Sequence, residues 1–203
     1  MSTASSNKLD LMREIRVDHD NIRDLRERFD AAHKENDHTM MGRIAATMTQ
    51  EASLHSDGEE LSVYKSLDAN GLHPLAEKDR EDHNKVKTAF SKVDKLLMSM
   101  TSPDVEELSR CVCEASDLFI KHAKDEEEID YPQLLKKLSE QDNEALAREF
   151  LKARAKAPSR PHPSAPQTGG IAQTAAGMAS KPVDAMIQAW RDHVDLKYHH
   201  AEA

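Results

Sequence analysis

The chain has 203 residues, 28 of them Lys or Arg and 37 Asp or Glu, giving a formal net charge of −9. The length suits one domain with extensions, and the acidic balance argues against nucleic acid as a partner, since such proteins carry a basic face. Six glycines and 4% aromatic residues are too few for the turns and strands of a β-sandwich or barrel, so an all-helical protein is predicted.

Residues 1–7 are small and polar and are expected to be disordered. A first helix follows, with Leu11, Ile15, Ile22, Leu25 and Phe29 at three- and four-residue steps. Asn36-Asp37 marks a turn. A second helix carries Met41, Ile44, Met48 and Ala52 on one stripe and is predicted to run to about Leu67. Asp68 to Gly71 breaks it, with Gly71 free to take positive φ. A third helix carries Val86, Phe90, Val93, Leu97 and Met100. Thr101-Ser102-Pro103-Asp104 has the composition of a helix start. The fourth helix carries Val105, Leu108, Val112, Ala115 and Phe119, and Pro132 ends or kinks it. A helical continuation with Leu135, Leu138, Leu146 and Phe150 runs to about Arg154.

Pro158, Pro161, Pro163, Pro166 and a Gly pair within 157–170 then mark residues 156–182 as a linker. Val183, Met186, Ile187, Trp190 and Val194 predict a last amphipathic helix within 183–203. The whole predicts an all-α, up-down antiparallel four-helix bundle over residues 8–155, with a short helical extension and a Pro-rich tail carrying one helix. No run approaches about 18 apolar residues, so no membrane span is expected. The opening MSTASSNKLDLMREIR lacks the apolar core of a secretory leader. Cys111 and Cys113 lie two apart and point away from each other on a helix. They predict reduced thiols and a cytoplasmic protein.

Histidine carries the chemistry. Eleven are present. His19 falls on the apolar stripe of the first helix, between Ile15 and Ile22. The second stripe continues from Ala52 to His55 and Glu59. His83 precedes Val86 and Phe90 on the third. The fourth continues from Phe119 to His122 and Glu126. A single His on an apolar stripe is ordinarily a satisfied core residue, and a lone His-x3-Glu is ordinarily a surface pair. Four helices that each aim such a residue inward are another matter. A buried carboxylate costs several kcal/mol unless it is compensated, and bound cations would compensate all six groups at once. Four imidazoles and two carboxylates exceed one tetrahedral zinc site. They suit two iron or manganese ions, each with two histidines, with both carboxylates bridging and open positions remaining.

The ligand motifs also repeat. His55 to Tyr64 and His122 to Tyr131 both follow His-x3-Glu-Glu-x3-Tyr. The order His19, His55-x3-Glu59, His83, His122-x3-Glu126 resembles the hemerythrin-like, or HHE cation-binding, family over roughly residues 8–155, and the Pro-rich tail is similar to those of fungal members. The resemblance implies a four-helix bundle holding a non-haem di-iron centre, with His19, His55, Glu59, His83, His122 and Glu126 as ligands and Glu59 and Glu126 bridging. Oxygen-carrying members have a second His on the third helix, as His-x3-His. Here the positions four from His83 are Asp79 and Lys87, and Asp79 is a candidate for an added carboxylate near the metals.

The first functional reading is a binding protein that holds two irons, with manganese or zinc as possible substitutes, and binds or senses dioxygen, a related small oxidant or iron itself. The second is a di-iron enzyme that reduces nitric oxide or peroxide or oxidises ferrous iron. The third is a structural bundle, holding zinc or no metal, whose tail helix docks a partner. Glu60 and Glu127 are expected on a solvated flank. Tyr64 and Tyr131 are expected as packing at the bundle end, and the remaining histidines in turns and the tail.

Overall fold

The computed structural model describes residues 8–99, 104–164 and 181–201. Met100, the Thr101–Pro103 part of the predicted helix start, the 1–7 terminus and the centre of the predicted linker lie outside them. The described residues contain helices and no strand. Four are long: α1 (Leu11–Lys34), α2 (His38–Leu61), α4 (His73–Leu97) and α5 (Val105–Asp125), with a short α3 (Val63–Ala69) between α2 and α4. A π-helical turn (Glu126–Asp130) extends α5 and leads into α6 (Tyr131–Leu135) and α7 (Glu140–Arg154). None of the described helices is long and apolar enough to cross a membrane.

Local chemistry sets the ends. Asp10 caps α1 by accepting from the Arg13 amide, and Asp104 caps α5 by accepting from Glu106 and Glu107. Asn36 and Gly71 take positive φ at the two turns. The second helix does not run unbroken to Leu67. Ser62 turns its hydroxyl onto the Gly58 carbonyl at 2.6 Å, and its backbone leaves the helical region at φ −129°, ψ −70°. A serine that competes for the helix's own carbonyls bends it, and the bend carries Tyr64 inward.

The long helices pack in a ring. α1 lies against α2 and α5, α2 against α4, and α4 against α5, while α7 covers α1 and α2. Gly58 makes that last contact possible: a Cβ there would lie 3.2 Å from both Phe150 Cε2 and Arg154 Cβ. Alanine normally favours a helix by about 1 kcal/mol over glycine. At this position the crowded α7 backbone reverses the sign, and Gly58→Ala is expected to cost about 1 kcal/mol, read as a lowered urea midpoint at unchanged m.

The core has two apolar clusters. One holds Ile22, Leu25, Phe29, Met48, Phe90, Val112 and Phe119. The other holds Leu11, Ile15, Tyr64, Leu67, Tyr131, Leu134 and Phe150. The polar stripe residues of the four long helices fall between them.

The tail differs from expectation. Residues 181–188 are helical and the helix stops there. Trp190 is 88% exposed, with Val183 and Met186 also exposed. Residues 191–201 are then non-helical and run beside α1 and α2. Their backbone is held by side chains: the Val194 amide by Thr47, the Tyr198 amide and carbonyl by Asn21, and the Ala201 amide by Glu14. Asn21 and Glu14 are buried and would be costly without partners, so the tail gains more by satisfying them than by closing another helical turn.

Candidate metal centre

The six stripe residues meet at one point. His19, His55, Glu59 and Glu126 offer ligand atoms that all lie within 4.8 Å of one another, and so do Glu59, His83, His122 and Glu126. The two groups share both glutamates. Nε2 of His55 and of His83 each lie 3.3 Å from Glu59 Oε2. Nε2 of His19 lies 3.3 Å from Glu126 Oε2 and Nε2 of His122 lies 3.0 Å from Glu126 Oε1. The side chains are essentially buried, His122 at 2% being the most exposed.

The far side of three of the four rings is held by a carboxylate. His19 Nδ1 donates to Glu127 at 2.7 Å, His55 Nδ1 lies 3.4 Å from Asp18, and His83 Nδ1 lies 3.3 Å from Glu60. Such pairs fix the tautomer so that Nε2 presents its lone pair to the centre. Each carboxylate is itself anchored. Arg23 donates to Glu127, Arg154 and His200 to Asp18, and buried Lys87 to Glu60 and Asp57. Lys87, one of the two positions four residues from His83, therefore serves the acid behind His83.

Two expectations are corrected here. Glu60 and Glu127 are not a solvated flank: Glu60 is fully buried and Glu127 is the partner of His19. The π-turn lets consecutive Glu126 and Glu127 both reach His19, which regular α geometry opposes by rotating neighbours about 100° apart. The tyrosines are not mere packing either. Tyr131 donates to Glu126 Oε1 at 2.8 Å, and the Tyr64 hydroxyl lies 3.0 Å from His83 Nδ1. The repeated His-x3-Glu-Glu-x3-Tyr motif was the available signal for all four.

Charge inside this pocket is poorly compensated by protein alone. Both oxygens of Glu59, Glu126 Oε2, and Nε2 of His19, His55 and His122 have no hydrogen-bond partner, and neither do both oxygens of Asp79. Burial, then the charge of Glu126, pushes the Glu59 carboxyl well above its usual range. Burial and Glu126 likewise push Asp79 up to about 8. Burial opposes ionisation of Glu126 too, but His122 and His19 outweigh it and hold that carboxyl well below its usual range. Burial holds His55 and His83 neutral, with His122 adding to the effect at His83. For His19 and His122 burial is outweighed by Glu126, helped at His19 by Glu127, and both are raised. Protons therefore balance the carboxylates where a cation would otherwise do so. The donors are imidazole nitrogen and carboxylate oxygen, the set that suits iron, manganese or zinc.

An all-helical protein with a buried histidine–glutamate cation pocket is the class defined so far. The comparisons make it narrower. The model of the hemerythrin HHE cation-binding domain matches residues 10–134. An uncharacterized hemerythrin-like protein of Schizosaccharomyces pombe is 32% identical over 164 residues, 76% of each chain. The chain belongs to the hemerythrin HHE cation-binding family. No solved structure matches it.

Tyr131 gives a test of the hydrogen bonds around the centre. Tyr131→Phe keeps the packing and removes the donor to Glu126. Loss of such an outer contact is expected to weaken metal retention about 10- to 100-fold, measured by chelator competition.

Proposed function

We propose that this protein holds two iron ions, one between His19 and His55 and one between His83 and His122, with Glu59 and Glu126 bridging. The same reading takes the four long helices as alternating in direction, with residues 8–155 as the unit that carries the site. The observation that carries it is the pair of ligand groups sharing two carboxylates, with both Glu59 oxygens, Glu126 Oε2 and Nε2 of His19, His55 and His122 buried and without a hydrogen-bond partner. Iron bound there would supply open coordination positions and one-electron chemistry for a small oxidant.

The chain's own residues prepare that role. Glu127, Asp18 and Glu60 aim the imidazoles of His19, His55 and His83. Tyr131 orients Glu126, and Tyr64 places a second hydroxyl beside His83. Phe119 and Phe150 lie against the His55 ring at 5.1 and 6.3 Å and keep water from that side. Binding or sensing of dioxygen or a related small oxidant at such a pair of ions is the function proposed.

The test is anaerobic loading with ferrous iron followed by exposure to dioxygen. A new absorption band that appears with oxygen and reverses on its removal supports binding. An unchanged spectrum in iron-loaded protein overturns the oxygen reading. Steady consumption of nitric oxide or peroxide, or of ferrous iron, would replace it with the enzyme reading.

A further inference from the structure

The carboxylates behind the histidines are not anchored alike. Arg23 of α1 holds Glu127 and Lys87 of α4 holds Glu60, so both are set from within the four long helices. Asp18, behind His55, is anchored from outside them. Arg154, the last residue of α7, donates Nε to Asp18 Oδ2 at 2.9 Å, and His200 Nε2 lies 3.0 Å from Asp18 Oδ1. Neither Arg154 nor His200 falls within residues 10–134, the span that matches the family model. His200 also reaches His55 by packing. Its ring centre lies 6.3 Å from that of Phe150, which in turn lies 6.3 Å from that of His55.

The segment that carries His200 is suited to come away as a unit. Among the described residues, 191–201 form no helix, and the amides of Val194, Tyr198 and Ala201 go to the side chains of Thr47, Asn21 and Glu14. A segment without a hydrogen-bond ladder of its own opens at lower cost than the core beneath it. Its inner end nevertheless closes over buried groups. Asp18 and Glu14 are fully buried, and Glu14 Oε2 takes the Ala201 amide and lies 3.2 Å from His200 Nδ1. Docked, the segment fixes Asp18 and so the acid that faces His55 Nδ1. Released, it leaves Asp18 to Arg154 alone.

We propose that residues 191–201 are a strap whose docking is coupled to metal binding, with His200 as a positioning residue that acts through Asp18 on the His55 ring. Docking then tightens metal binding, and bound metal tightens docking by the same factor. The inference rests on the metal-centre reading above, and within it on His55 as a ligand.

The test compares the full chain stripped of metal with the full chain loaded with Co2+. Hydrogen exchange of the 191–201 amides is followed by mass spectrometry, and cobalt affinity by chelator competition. In wild type, cobalt is expected to slow exchange of the strap about tenfold, a factor within the usual range for linked sites. His200→Ala is expected to lower cobalt affinity about tenfold and to make strap exchange the same with and without cobalt. His200→Gln, which keeps a donor for Asp18, is expected to recover part of both effects. A His200 that only packs the tail would behave differently: its loss would speed exchange equally in both forms and leave cobalt affinity unchanged. The wild-type comparison needs no variant, so it decides the matter even if His200→Ala unfolds. Wild type that binds cobalt with strap exchange unchanged, or folded His200→Ala with wild-type affinity, overturns the strap and leaves the centre standing. Wild type that binds no cobalt overturns the centre, and the strap with it.

Discussion

Glu59→Gln is expected to have opposite effects on the metal-free and metal-loaded protein. The carboxyl group is fully buried, neither oxygen has a hydrogen-bond partner, and burial together with Glu126 raises its pKa well above the usual range. An acid whose folded pKa is raised takes up a proton on folding at pH values between its unfolded and folded pKa, and stability falls across that range. Glutamine has the same shape and needs no proton. The metal-free variant should therefore be more stable than wild type at pH 7, seen as a higher urea midpoint. The loaded variant should be the weaker one. A bridging carboxylate serves both ions, and its replacement by a neutral amide is expected to lower metal affinity at least about a hundredfold. A residue that costs stability without its ligand and is needed with it is expected at a functional site. Destabilisation of the metal-free form by Glu59→Gln would show that Glu59 is an ordinary core acid with a partner.

The pH dependence of stability should change shape on metal binding. Glu59 is raised, and Asp79 is raised to about 8, so the folded metal-free protein holds protons that the unfolded chain releases above about pH 4. Their contribution falls as pH rises toward 8, by about 1.4 kcal/mol per unit for each proton held. His19 and His122 are also raised. Their stabilisation is complete below the unfolded value of about 6.5 and is lost as pH rises through the folded value. The alkaline terms therefore agree in sign. On the acid side His55 and His83 are lowered, so the unfolded chain takes up protons below about pH 6.5 that the folded protein excludes. Glu126, held well below its usual range, adds stability that is lost as pH falls. The metal-free protein should lose melting temperature steadily between about pH 6.5 and 8.5, where the terms agree in sign. Metal displaces the protons and binds more tightly as pH rises, so the loaded protein should lose little or nothing over that interval. Thermal melts of both forms across it check this, and parallel profiles would contradict it.

The six inward residues were legible because they broke a rule that the rest of each helix obeyed. His19, His55, Glu59, His83, His122 and Glu126 continue apolar stripes, and polar groups there require a reason. Their helices were legible from the same stripes. The residues behind them were harder to read. Asp18, Glu60 and Glu127 sit one position from a stripe residue, which a regular helix turns aside. They face the site because a neighbouring helix or the π-turn covers that flank, and a π-turn leaves little trace in hydrophobic period. Lys87 and Asp79 did lie in register with His83, yet burial of Lys87 depends on Glu60 and Asp57 from another helix. The break at Ser62 depends on one hydroxyl choosing a carbonyl. The extended stretch 191–201 has no period of its own, since Asn21, Thr47 and Glu14 position it from outside.

The most direct test of the account is metal content per chain, by elemental analysis of the full protein produced with ample iron. The account predicts about two irons per chain, falling to a small fraction of that in Glu59→Ala combined with Glu126→Ala while the helical circular dichroism is retained. Wild-type protein that carries no bound metal when produced with ample iron, or a double variant that keeps its full metal content, would contradict it.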